Sequence, residues 1–187
     1  MKTKSKISHS CTLICLLLLI NSCSKKSPEP ELIYIPGEIE LWTKDDTSIE
    51  KTFEFINEFG LPIERLAGSV RYYSTLPNDS LTYVLDYLKS KPYTNNGKTF
   101  TTAFISGAGV PRIGVSPQLF NMNSIDNQKD WIDTIQKLKL IPGTASSTDS
   151  FRLFITVTIG SENAWVKKLE KHDIVELIYQ SYRYDKF

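Results

Sequence analysis

SVRYYSTLPNDSLTYVLDYLKS, residues 69–90, and SFRLFITVTIGSENAWVKKLEK, residues 150–171, are the two stretches on which the fold turns. Laid over one another at an offset of 81, they share Ser69/Ser150, Arg71/Arg152, Thr75/Thr156, Ser80/Ser161 and Leu88/Leu169. Val70/Phe151, Tyr72/Leu153, Tyr73/Phe154, Leu76/Val157, Val84/Trp165 and Leu85/Val166 keep apolar or aromatic character. Each stretch reads as an alternating strand, a turn of small polar residues and an amphipathic helix. Self-similarity at a near-constant period marks duplicated units. Coincidence between two amphipathic strand–helix segments is the alternative.

Outward from these stretches the likeness continues. The preceding helices match at an offset of 82, through Ile49/Trp131, Phe53/Ile135 and Ile56/Leu138. In the first half the pattern predicts a strand at 38–43 and a helix capped by Asp46 or Thr47 and ended by Gly60-Leu61-Pro62. Strands at 63–67 and 70–76 follow, then a helix capped by Asn78, Asp79 or Ser80 and stopped by Pro92, then a strand at 99–105. The second half repeats the order. It has extended chain at 113–120 broken by Pro117, a helix capped by Ser124 or Asp126, strands at 140–145 and 151–159, a helix opened by Ser161, and a strand at 174–182. Each half therefore reads β-α-β-β-α-β, the ferredoxin-like order. The expected fold class is α+β: tandem ferredoxin-like units at 37–107 and 108–187, with antiparallel sheets carrying helices on one face.

Strand alternation assigns the faces. Leu153, Ile155, Val157 and Ile159 point to the helices, and Arg152, Phe154 and Thr156 point away. The matching strand presents Arg71, Tyr73 and Thr75 in the same row. Arginine and aromatic residues dominate contact energies, so these six form the candidate binding face. The alternative is that the two sheets pack face to face and bury Tyr73 and Phe154 between them. Tyr179, Tyr182 and Tyr184 make either a second adhesive edge or a strand end lying over the core.

At the front stand Lys2, Lys4 and Lys6, then a short apolar run from Leu13 to Ile20, too short to span a membrane. Ile20-Asn21-Ser22-Cys23 resembles the lipobox of bacterial lipoproteins, with Asn21 as a departure from the commoner small or apolar residue. The resemblance implies that 1–22 is a signal peptide, that Cys23 is acylated, and that 23–36 is a lipidated cysteine and tether. Ser24 in place of aspartate implies the periplasmic face of the outer membrane. An ordinary secretory signal with a free Cys23 is the alternative, as is an anchor in another membrane. Removing 1–22 takes away three lysines and no acid, so the formal charge moves from +1 to −2. Such a chain lacks the basic surface that nucleic acid requires. The expected partners are the membrane, through acylated Cys23, and another envelope protein.

Little here can do covalent chemistry. His172, the one histidine beyond residue 22, sits in LEKHDI at a predicted helix end, where a capping role fits better than catalysis. Without a second histidine or a free cysteine no metal set is expected, and no cofactor. The acid pairs Glu38/Glu40, Asp45/Asp46, Asp130/Asp133 and Glu170/Asp173 fit solvated positions, so no catalytic residue is assigned. GAGVPRIG at 107–114 fails as a phosphate loop, because Pro111 removes a donor and no helix follows. Asp79-Ser80-Leu81 and Asp133-Thr134-Ile135 are similar to bacterial O-glycosylation triplets, but triplets this short arise by chance, and a helix cap and an ordinary helical turn account for them better. LEKHDIVELIYQSY resembles the last helix and strand of subtilisin-type propeptides, which implies a peptidase-inhibitor role. The expected function is a non-catalytic binding or assembly module. Its alternatives are that inhibitor role and a carboxylate-based hydrolase.

Overall fold

The computed structural model describes residues 31–68, 72–106, 111–143 and 150–184. The leader, Cys23 and Arg71 lie outside the described residues. The elements run β1 (Leu32–Thr43), α1 (Ile49–Phe59), β2 (Ile63–Gly68), β3 (Tyr72–Ser74), α2 (Leu81–Lys89), β4 (Thr102–Ser106), β5 (Arg112–Ser116), β6 (Gln118–Phe120), α3 (Ile125–Lys137), β7 (Leu140–Pro142), β8 (Phe151–Thr156), α4 (Glu162–Leu169) and β9 (Val175–Tyr184).

Local signals set the ends of the helices. Ser48 caps α1 by accepting from the Lys51 amide, and Ser124 caps α3 by accepting from the Asn127 amide. For α1 the cap is thus one residue beyond the expected Thr47. Asp46 instead occupies the turn before it, in the left-handed region at φ 61°. Gly60 ends α1 at φ 58°, where a Cβ carries a steric penalty. Lys139 takes the same conformation after α3, at φ 49°. These two turns lie 79 residues apart, so the helix ends align three residues closer than the apolar stripes suggest.

Within each half the element order is β-α-β-β-α-β, with β6 as an addition. The sheets do not divide where the halves do. One sheet has the order β6-β2-β8-β1-β9 and the other β4-β5-β3-β7. The first half gives β1-α1-β2 to the larger sheet and β3-α2-β4 to the smaller. The second half gives β5-α3-β7 to the smaller and β8-α4-β9 to the larger. Setting β6 aside and numbering each sheet's strands in chain order, both read 2-3-1-4 across. The expected division into units at 37–107 and 108–187 therefore cuts through both sheets. Alternation could predict which strands form, but not that β8 would insert between β1 and β2, antiparallel to each.

The two layers meet through their helices. Asn57 on α1 and Gln128 on α3 exchange two side-chain amide bonds, each 2.9 Å long. Within the smaller layer, Tyr72 and Trp131 stack edge to face at 6.2 Å. Leu41, Leu66 and Leu153 of the larger sheet share one core with Ile113, Val115 and Leu140 of the smaller. The sheets do not meet through the Tyr73 and Phe154 faces. Val157 packs partly against the core as expected, but Ile159 falls beyond β8 and is 74% exposed. β1 also begins earlier than expected. Leu32 to Pro36 already belong to β1, where Ile33 and Ile35 suit a pleated strand.

Because each sheet needs a β-α-β from both halves, neither half buries its own strands. Fragments 1–108 and 109–187, expressed apart, are expected to stay largely unfolded and to recover native circular dichroism and a cooperative melt on mixing. Tandem units would each melt cooperatively alone.

Candidate functional site

Strand pairing brings the site together. Arg65 of β2 lies opposite Phe120 of β6 on one side and Phe154 of β8 on the other. Phe154 in turn lies opposite Glu40 of β1. A row Phe120–Arg65–Phe154–Glu40 thus crosses the helix-free face of the larger sheet, and Tyr179 of β9 closes it by donating to Glu40 Oε1 at 2.5 Å. Trp42 and Arg152 form the next row.

Glu40 is buried, and its carboxylate is fully engaged. Trp42 Nε1 donates to Oε1 at 2.7 Å and Arg152 Nη2 donates to Oε2 at 2.5 Å, while Arg152 Nε lies 2.5 Å from Oε1. Burial pushes the Glu40 carboxyl up, but the bonds from Arg152, Tyr179 and Trp42 outweigh it and hold Glu40 below the ordinary glutamate value. This corrects the reading of Glu38/Glu40 as solvated strand positions.

Phe154 is flanked by two guanidiniums. The Arg65 Cζ stands 3.8 Å from its ring centroid and the Arg152 Cζ 4.6 Å. Arg152 has a carboxylate. Among the described residues Arg65 makes no ion pair and no side-chain hydrogen bond. Burial and the nearby Arg152 charge hold the Arg65 pKa below its usual value. Beside them Glu38 is pushed up by burial, with the Ser181 hydroxyl pulling the other way and Glu64 adding to the push.

These residues line a groove of about 370 Å³, rimmed by Asn96, Lys98 and Thr99 from the chain between α2 and β4 and by Arg183 from β9. Its charged lining holds four cations and three acids, and Glu40 is already matched to Arg152. Among the described residues the guanidiniums of Arg65 and Arg183 make no ion pair, and Arg65, with Glu38 and Glu64 nearby, lies on an aromatic floor, a setting suited to a planar anion such as a carboxylate.

Of the six expected face residues, Arg152, Phe154 and Thr156 lie on this face. Tyr73 and Thr75 stand on β3 and just after it, in the smaller sheet, and Arg71 lies outside the described residues. There Tyr73 shares a row with Ile141, Gly114 and Phe104. The Phe104 ring covers Gly114 so closely that an added Cβ would stand 2.9 Å from it. The five described residues therefore do not form one surface. Sequence reading missed Arg65, and it named Glu40 and Tyr179 without their mutual contact, which exists only across strand pairs.

The other candidates take structural places. His172 stacks on Phe55 and Phe59 of α1 at 4.7 and 5.6 Å, and its Nε2 is 3.4 Å from Glu58. Asp130 accepts from Lys91 Nζ at 2.8 Å and from the Tyr93 hydroxyl at 2.6 Å. Thr134 is fully buried beside Tyr93, so its triplet offers no accessible hydroxyl. Among the described residues no helix is long and apolar enough to cross a membrane, and no cluster of three acids, histidines or cysteines could hold a metal. No family model, curated protein or solved structure matches the chain.

Glu40→Gln should lower stability at neutral pH by about 2 kcal/mol, because it leaves Arg152 without its charge partner. Glu40's folded value is the lower one, so its contribution is complete above the ordinary value of 4.5 and is lost as pH falls through the folded value. Urea titrations across the acid range should therefore show a shallower acid limb in the variant than in the wild type.

Proposed function

We propose that this protein is an exported, lipid-anchored component of a bacterial envelope that works by binding. In this reading residues 1–22 are removed, acylated Cys23 holds the chain in the membrane, and Ser24 directs it to the periplasmic face of the outer membrane. Each sheet with its two helices is a ferredoxin-like layer, the two layers being interlocked rather than tandem. The larger sheet's open face receives another envelope protein.

The observation that carries the binding role is the Phe154 ring between two guanidiniums of which only Arg152 has a carboxylate. A partner that supplies an acidic side chain or a terminal carboxylate to Arg65 completes the pair. It also stacks on a floor that is already desolvated, where a charge-assisted bond gains most. Nothing in this role requires a nucleophile or a positioned base. The hydrolase reading draws on Glu38 beside Glu64, but the groove is open, and Arg65 stands next to both acids.

Arg65→Gln should change stability by less than about 0.5 kcal/mol, since no ion pair is broken. It should reduce capture of the partner from native envelope extracts about tenfold, which corresponds to about 1.4 kcal/mol. Equal capture by wild type and variant, quantified by mass spectrometry, removes Arg65 from the binding role. Arg152→Gln should lower both capture and melting temperature, because it strips Glu40. Intact-mass analysis should find a chain that begins at an acylated Cys23, and Cys23→Ser should leave the protein in the soluble fraction.

A further inference from the structure

A second pocket lies away from the open sheet face. It opens to solvent between the start of α1, β3, α3, β7 and the start of β8, past the exposed Asp46, Ser48, Glu50 and Pro142, and has a volume of about 280 Å³. Its apolar walls are Ile49, Tyr72, Ile135, Pro142 and Phe151. Packing nearby is otherwise closed: Trp131, stacked on Tyr72, and Phe151 are almost fully buried.

Two of the hydroxyls lining this space take part in hydrogen bonds. Ser48 Oγ accepts from the Lys51 amide at 3.3 Å, and Thr47 Oγ1 donates to the Lys44 carbonyl at 2.7 Å. Tyr72 is only 3% exposed, yet its hydroxyl has no hydrogen-bond partner among the described residues. Burial, followed by the charge of Glu50 on the same wall, pushes the Tyr72 phenol well above its ordinary value, so it keeps its proton. The pocket thus presents an apolar surface with the Tyr72 hydroxyl set among its apolar walls as a donor. Its other lining charges are the acids Asp46 and Glu50, which disfavour an anion.

We infer that this cavity binds a small neutral apolar molecule whose single hydrogen-bond acceptor, a ketone or ester carbonyl, takes the proton of the Tyr72 hydroxyl. The class follows from each wall in turn. Aliphatic and aromatic side chains favour an apolar body, the phenol requires an acceptor, and the two acids exclude carboxylates of the same shape. Pockets lined mainly by apolar groups with few placed polar ones are the usual form of small-molecule sites, and joints between packed layers are a common location for them. This site is independent of the groove around Arg65.

The test uses the purified full chain and two probes of the same shape, neutral acetonaphthone and anionic naphthoate, titrated by calorimetry. The expected result is saturable one-to-one binding of acetonaphthone and much weaker binding of naphthoate. Tyr72→Phe keeps the shape and removes the donor, and should weaken acetonaphthone about threefold to tenfold. Ile135→Trp fills the space and should abolish binding, with Ile135→Phe as the milder filling variant if the first does not melt cooperatively. No saturable binding of acetonaphthone by the wild type overturns the inference. So does equal affinity in Tyr72→Phe, or undiminished binding in a folded filling variant.

Discussion

β8 is hydrogen-bonded to β1 on one side and to β2 on the other, and the rest of the molecule depends on that insertion. A strand from the second half must pass between two strands of the first before the larger sheet can exist. β5 from the second half enters the smaller sheet in the same way, between β3 and β4. The chain between β2 and β8 must therefore be closed as a long loop, whose entropy is offset only when both sheets and the helices between them are in place. The apolar faces of all four β-α-β segments then empty into one core, and α1 and α3 are locked by the paired amides of Asn57 and Gln128.

The same insertion builds the open face. Arg65, Phe154 and Glu40 come from three strands widely separated along the chain, and register alone sets them side by side. A buried carboxylate on a sheet face is unfavourable unless its hydrogen-bonding capacity is filled. Arg152, Trp42 and Tyr179 fill it, so this part of the face is fixed before any partner arrives. Arg65 differs in having aromatic neighbours and no hydrogen-bonded carboxylate among the described residues, although Glu38 and Glu64 stand near it. The second pocket is apolar over most of its wall, with the Tyr72 phenol among its few polar groups.

Much of this was readable from local pattern. The order of elements, the helix-facing row Leu153 and Ile155, and the outward row Arg152, Phe154 and Thr156 follow from periods of 2 and 3.6 residues. The places where reading failed have local causes as well. The start of β1 was taken for tether because Pro36 and the charged segment before it obscure the strand character of Ile33 and Ile35. The helix offset was set by apolar stripes, whereas the left-handed turns at Gly60 and Lys139 fix the helix ends. Glu40 looked solvated because an isolated strand shows which face a residue takes, not what stands on the neighbouring strand.

The sequence by itself determined that this chain forms α+β structure, with two halves of like element order and strands that each have an apolar and a polar face. These properties depend on residues near one another along the chain, through backbone preference, capping and alternation. Only the tertiary structure decided that the halves exchange strands, that Tyr73 and Phe154 belong to different sheets and that Glu40 is satisfied. The reason is that alternation is identical for every strand that could sit next to β1. The choice of β8 is made by the combined burial of four helices and two sheets, a quantity that no single segment carries.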